Sequence, residues 1–95
     1  RQQMDEYRQQ VQAKLEDYDK KLDEMRAKAE KMKKEARAEM EQQIAELRKK
    51  REEAAKELDK MQSASGKAWE DLKTGLDSAL EEMDRAYQQA ASRFK

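Results

Sequence analysis

Side chains that commonly carry out chemistry in proteins are few in this chain. None of its 95 residues is histidine or cysteine, so the usual general base and the commonest metal ligands are missing. The two glycines, Gly66 and Gly75, form no phosphate-binding loop. Twenty-two carboxylates remain, but they alternate with lysines and nothing indicates an enclosed pair. The sequence therefore predicts no enzyme and no catalytic, cofactor-binding or metal site.

The methionines are the one set of soft ligands. Six sulfur atoms could bind a soft metal ion if they lay together. They are instead far apart, and every one falls on an apolar stripe: Met4, Met25, Met32, Met40, Met61 and Met83. A flexible apolar side chain at such positions is typical of core packing.

Two short basic runs, 31–34 and 48–51, could contact nucleic acid or an anionic surface. Acidic neighbours counter both runs: Glu30, Glu35, Glu46, Glu52 and Glu53. The whole chain has 22 basic and 22 acidic residues, so its net charge attracts neither nucleic acid nor anionic lipid. This balance favours solvated helix faces and disfavours nucleic acid as a partner.

The elements that would carry these residues are helices. Apolar residues recur every three or four positions, and there is no proline: Met4, Tyr7, Val11, Leu15, Tyr18, Leu22, Met25, Ala29, Met32, Ala36, Met40, Ile44, Leu47, Ala54, Leu58, Met61, Trp69, Leu72, Leu76, Leu80, Met83, Tyr87, Ala90 and Phe94. This spacing places one apolar stripe along an α-helix. The pattern predicts an all-α fold with a single helical domain over residues 1–95. Its first helix is expected over about 2–62, where helix-forming residues dominate and acid–base pairs four residues apart recur, such as Asp17–Lys21 and Glu46–Lys50.

A break is predicted at 63–66, because serine and glycine are poor in helix interiors and common at helix ends. Ser65 could then cap a second helix over about 67–94. One uninterrupted helix of roughly 140 Å is the alternative. The second segment repeats every eleven residues, matching Trp69 with Leu80 and Leu72 with Met83, which indicates a nearly straight stripe. Gly75 and Ala86 also match, and their small size would permit close approach of another helix.

The stretch Ser-Gly-Lys-Ala-Trp-Glu-Asp-Leu-Lys-Thr-Gly-Leu, residues 65–76, follows a helix rich in lysine, glutamate and alanine. In this it resembles small helical proteins of many bacteria, which are usually exported and have no assigned function. The eleven-residue period of 68–95 is more loosely similar to exchangeable apolipoproteins, although this chain lacks the prolines that separate their repeats. The resemblance implies an amphipathic helical protein and no catalytic residues.

A hairpin of the two helices would leave the stripe of residues 4–32 uncovered, so we expect a coiled-coil homo-oligomer, with an antiparallel dimer favoured. The expected interface comprises Val11, Leu15, Tyr18, Leu22, Met25, Met32, Leu47, Leu58, Trp69, Leu72, Leu76, Leu80, Met83 and Tyr87. The predicted function is that of a scaffold, spacer or helical binding partner. The alternative is reversible binding to a lipid surface through residues 68–95, with Trp69 entering it.

Two features of the sequence bear on the compartment. No run of about 18 apolar residues occurs, so the sequence predicts no membrane-spanning segment. The chain begins at Arg1, which fits removal of a signal peptide and equally an excised fragment. We expect a periplasmic or secreted protein, with the cytoplasm as the alternative.

Overall fold

The computed structural model describes residues 2–94, and that range contains helices and no strand. Three long helices follow one another: α1 (Gln2–Ala29), α2 (Lys34–Lys60) and α3 (Gly66–Ala91). Short 3-10 turns, Met61–Ser63 and Ser92–Phe94, end α2 and α3. The all-α class is confirmed, and the chain measures 50 × 18 × 17 Å.

The helices run up, down and up. Ion pairs between Asp23 and Arg48, and between Asp19 and Arg51, show that α2 runs antiparallel to α1. The pair of Lys50 with Glu82 joins α2 to α3, and Arg93 beyond the end of α3 reaches back to Glu39 near the start of α2. α1 and α3 are consequently parallel neighbours.

The continuous helix over 2–62 is wrong, because the chain turns between Ala29 and Lys34. The amide groups of Lys31 and Met32 donate hydrogen bonds to the carbonyls of Lys28 and Ala29 in tight turns. The backbone of Lys33 is extended, with φ −63° and ψ 154°. No glycine or proline marks this turn. The physical reason is burial: folding back costs a few helical hydrogen bonds but removes the apolar stripes of both halves from water.

The second turn falls within 63–66, where the serines and glycine indicate it, so one uninterrupted helix is excluded. Ser65 occupies the position before the first turn of α3, but its side chain forms no capping hydrogen bond. Gly66 opens α3 with φ +57°, a left-handed conformation that other residues adopt at a cost. The backbone therefore favours glycine at this position.

Every buried side chain belongs to the apolar stripe. The core comprises Val11, Leu15, Tyr18, Leu22, Met25, Ala29, Met40, Ile44, Leu47, Ala54, Leu58, Met61, Trp69, Leu76, Met83 and Ala90. Within residues 2–94 no large hydrophobic side chain is exposed. A single chain thus covers the stripe of residues 4–32, which removes the reason for requiring a second copy.

Candidate interaction surfaces

The residues expected at an interface between chains lie between helices of the same chain. Ten of the fourteen are in the core: Val11, Leu15, Tyr18, Leu22, Met25, Leu47, Leu58, Trp69, Leu76 and Met83. The other four are partly buried and pack against it: Met32, Leu72, Leu80 and Tyr87. Six further buried residues are missing from that set, although their positions on the apolar stripe indicated burial: Ala29, Met40, Ile44, Ala54, Met61 and Ala90.

Aromatic side chains occupy the space between α1 and α3. The rings of Tyr7 and Trp69 meet edge to face with centroids 5.8 Å apart, and the Tyr7 hydroxyl donates a 2.6 Å hydrogen bond to Oδ1 of Asp77. Desolvation of the hydroxyl, followed by its bond to Asp77, raises the pKa of Tyr7 well above its usual range. Tyr7 therefore serves as a neutral donor in this contact and is unsuited to act as a base.

A second aromatic contact lies further along the same pair of helices. The Tyr18 hydroxyl donates to the main-chain carbonyl of Met83 at 3.2 Å, and its ring lies 6.1 Å from that of Tyr87. Desolvation, with a smaller contribution from the charge of Asp84, raises the pKa of Tyr18 to about 12. This hydroxyl also remains neutral over the physiological pH range.

Trp69 lies in the core with 8% of its surface exposed. Its Nε1 atom is buried and has no hydrogen-bond partner among residues 2–94. The indole therefore contributes apolar packing near the start of α3. Insertion of Trp69 into a lipid or partner surface would require α3 to leave the bundle.

The basic run 48–51 is used inside the fold. Arg48 and Arg51 pair with Asp23 and Asp19 of α1 at 2.8 and 3.0 Å. Lys50 pairs with Glu82 of α3 at 3.0 Å, and this hydrogen bond and positive charge lower the pKa of the Glu82 carboxyl. The run thus joins α2 to both neighbouring helices, which leaves little of it for an external anion.

The run 31–34 has a different environment. Lys31, Lys33 and Lys34 are exposed at the turn between α1 and α2. None of the three forms an ion pair with another residue of the described range. Of the two basic runs, this one is free to meet an anionic partner.

The grooves between the helices are shallow and charged. One groove, of about 550 Å³, lies between α2 and α3 and is lined by Ala54 and Met83 together with Lys56, Glu57 and Lys60. Across residues 2–94, no cluster of three acidic, histidine or cysteine side chains is placed to hold a metal ion. The groove therefore provides an apolar strip between charged rims, and no group positioned for chemistry.

Comparison with known proteins finds no matching family model and no significant match among curated proteins or solved structures. Among the described helices, none is sufficiently long and apolar to cross a lipid bilayer.

Proposed function

We propose that this chain is a non-enzymatic structural or interaction protein that acts as a spacer, scaffold or helical binding partner. The observation that carries the proposal is that all three apolar stripes face one another in one chain, forming a charged rod 50 Å long. Such a rod can hold partners apart or present an extended face to one of them.

Polar contacts between the helices support a rigid rod. Ion pairs connect α2 to α1 on one side and to α3 on the other. The hydroxyls of Tyr7 and Tyr18 on α1 donate hydrogen bonds to α3. Single exposed pairs contribute little to stability, but several that join the same helices also fix their register. A fixed length and register are what a spacer or scaffold requires.

Self-association, if it occurs, would have to use the charged exterior, because the stripe is covered within one chain. The lipid alternative through residues 68–95 would have to expose Trp69, Leu76 and Met83, which are buried in the bundle. Opening would also uncover the stripes of α1 and α2. The closed rod therefore favours the spacer and binding-partner function over lipid binding by α3.

The proposal is tested by introducing a photo-crosslinking amino acid at one exposed position on each surface in the cells that produce the protein. Suitable positions are Gln12 on α1, Ala45 on α2, Gln88 on α3, Lys33 at one end and Ser63 at the other. The buried position Leu22 provides the background. We expect adducts of one defined size from neighbouring positions only.

Adducts no stronger than at Leu22 from all five positions would overturn the interaction proposal. Fractionation of the same cells tests the compartment. We propose the periplasm or the exterior, on the resemblance to exported bacterial proteins, and recovery with cytoplasmic markers would contradict this.

A further inference from the structure

The two ends of the rod carry opposite charge. We call the end formed by residues 26–37 and 92–94 the basic end, since it has seven basic and two acidic residues. Two of the seven, Arg37 and Arg93, pair with Glu41 and Glu39 just beyond this range. The opposite end, residues 2–7 and 57–71, has six acidic and two basic residues and is called the acidic end. The whole chain is neutral. Six of the seven basic residues lie in the continuous stretch 26–37, and the fold adds Arg93 to them.

The lysines of the basic end are not explained by helix stability. Cations near the last turn of α1, such as Lys28, are favourable because the helix dipole is negative there. Lys33 and Lys34, however, lie at the start of α2. The dipole of α2 is positive at this end and disfavours positive charge there. Two exposed lysines without acidic partners at an unfavourable position point to a role outside the fold.

Apolar side chains accompany these lysines. Met32 lies in the turn and Phe94 in the last 3-10 turn, and both are partly buried at the edge of the core. The ammonium of Lys28 lies 5.9 Å from the centre of the Phe94 ring. Lysines surrounding partly accessible apolar groups match an anionic lipid surface, which offers both phosphates and a nearby apolar layer.

We propose that the basic end docks on an anionic membrane surface, so that the rod stands on the membrane with its acidic end outward. This inference rests on the proposed function and names one partner for it. Positive residues near such a surface attract it without a large contact area. The acidic end, repelled by the same surface, would fix the direction of the rod.

Two other occupants fit less well. A second copy stacked end to end would contact only the 18 × 17 Å cross-section, whereas a stable interface buries about 800 Å² on each partner. A nucleic-acid duplex offers phosphates but no apolar layer for Met32 and Phe94, which lie partly buried at this end. A flat lipid surface meets the end alone.

Co-sedimentation of the purified chain with vesicles of phosphatidylglycerol and phosphatidylcholine tests the proposal. The test variant carries Lys31→Gln, Lys33→Gln and Lys34→Gln. The matched control carries Lys14→Gln, Lys49→Gln and Lys56→Gln, which removes the same charge from exposed positions on the sides of the rod. We expect the parent and the control to bind at low salt, and the test variant to partition about 100-fold less.

A third variant, Lys31→Arg, Lys33→Arg and Lys34→Arg, keeps the charge. It should bind like the parent, and circular dichroism checks that its fold is intact. Trp69 emission should stay unchanged on binding, since α3 does not leave the bundle. A blue shift of Trp69 would overturn docking of the closed rod. An equal loss of vesicle binding in the two glutamine variants would overturn the proposal that the basic end contacts the membrane. Binding of the parent to duplex DNA but not to vesicles would also overturn it.

Failure of this inference is separable from failure of the proposed function. A parent chain that ignores anionic vesicles but still forms defined protein adducts would remove only the membrane partner. Sedimentation of the chain without vesicles measures end-to-end stacking. If the chain forms oligomers and the lysine substitutions disrupt them, the basic end contacts a second copy, and the membrane proposal is overturned.

Discussion

The Tyr18 hydroxyl donates a 3.2 Å hydrogen bond to the main-chain carbonyl of Met83 and ties the middle of α1 to the middle of α3. Close backbone approaches occur mainly between α1 and α2 and between α2 and α3. The third interface, between α1 and α3, is bridged by long aromatic side chains such as Tyr7 and Tyr18. Tyrosine supplies both the reach and a polar tip for this contact.

Stability should fall as the pH rises from about 10 towards 12. Tyr18 keeps its proton in the folded chain up to its raised pKa of about 12, whereas in the unfolded chain it loses the proton near 10. The unfolded state therefore binds fewer protons in this window, and stability decreases with pH. Denaturant unfolding at pH 8, 10 and 11.5 measures the slope.

Tyr18→Phe is the matched variant for that experiment. It should lower the free energy of unfolding at neutral pH by about 1 kcal/mol, because one buried hydrogen bond is lost. Its alkaline decline should be shallower than that of the parent, with Tyr7 accounting for the remainder. An identical slope in both proteins would mean that Tyr18 does not carry the effect.

Leu76 and Leu80 should respond differently to truncation, although both lie on the stripe of α3. Leu76 has 0% of its surface exposed, so Leu76→Ala should cost about 2–5 kcal/mol. Leu80 is only partly buried at the edge of the core, so Leu80→Ala should cost less. Thermal melts of the two variants measure the ranking, and a larger loss for Leu80 would contradict the observed rotation of α3.

The two glycines should respond to alanine with opposite signs. Gly66→Ala should destabilise by about 1–2 kcal/mol, because Gly66 has φ +57°. The cost comes from the backbone alone, since no neighbour lies within 4 Å of the added Cβ. Gly75→Ala should stabilise by up to about 1 kcal/mol, because a Cβ at Gly75 would meet nothing within 4 Å. This space contradicts the expectation that Gly75 permits close packing of a helix. Denaturant melts give both values, and destabilisation by Gly75→Ala would indicate a contact with another molecule.

The ion pair between Asp19 and Arg51 should couple more strongly than the one between Glu81 and Arg85. The first is 3.0 Å long, with side chains 39% and 23% exposed. The second is 4.0 Å long and about three-quarters exposed on both sides. Double-mutant cycles with alanine should give about 0.5–1 kcal/mol for the first pair and under about 0.3 kcal/mol for the second. High salt should weaken the first coupling, and equal couplings would argue against a structural role for Arg51.

The core could be predicted from sequence because the stripe is a strictly local pattern. Residues three and four apart share a helix face in any helical arrangement, so Leu22 or Met83 is identified as apolar core without knowledge of the partner helix. The partners of charged residues are not local. Lys50 has Glu46 one turn away, yet it pairs with Glu82 across the bundle, and nothing in the sequence near Lys50 indicates that choice.

The turn at 30–33 could not be predicted from local signals. Residues 29–36 contain neither glycine nor proline, and alanine, lysine and glutamate all favour a continuous helix. The available signal was global: α3 has only 26 residues, so it covers about half of a stripe running from 2 to 62. That mismatch can be resolved by a second chain or by folding α1 onto α2. The structure has the second solution, which needs no partner.

Distances between spin labels would separate these two solutions. The chain has no cysteine, so Gln3→Cys and Gln62→Cys, both at exposed positions, give a uniquely labelled pair. In the bundle both residues lie at the acidic end, so their separation is set by the 18 × 17 Å cross-section and the length of the labels. In a continuous helix the 59 steps from residue 3 to residue 62 would span roughly 90 Å. Gln3→Cys with Ala27→Cys, also exposed, is the internal ruler, because both positions lie in α1 and a helix places them about 36 Å apart in either case. Dilution with unlabelled chain removes distances between copies, and loss of the short distance on dilution would show that a second chain covers the stripe.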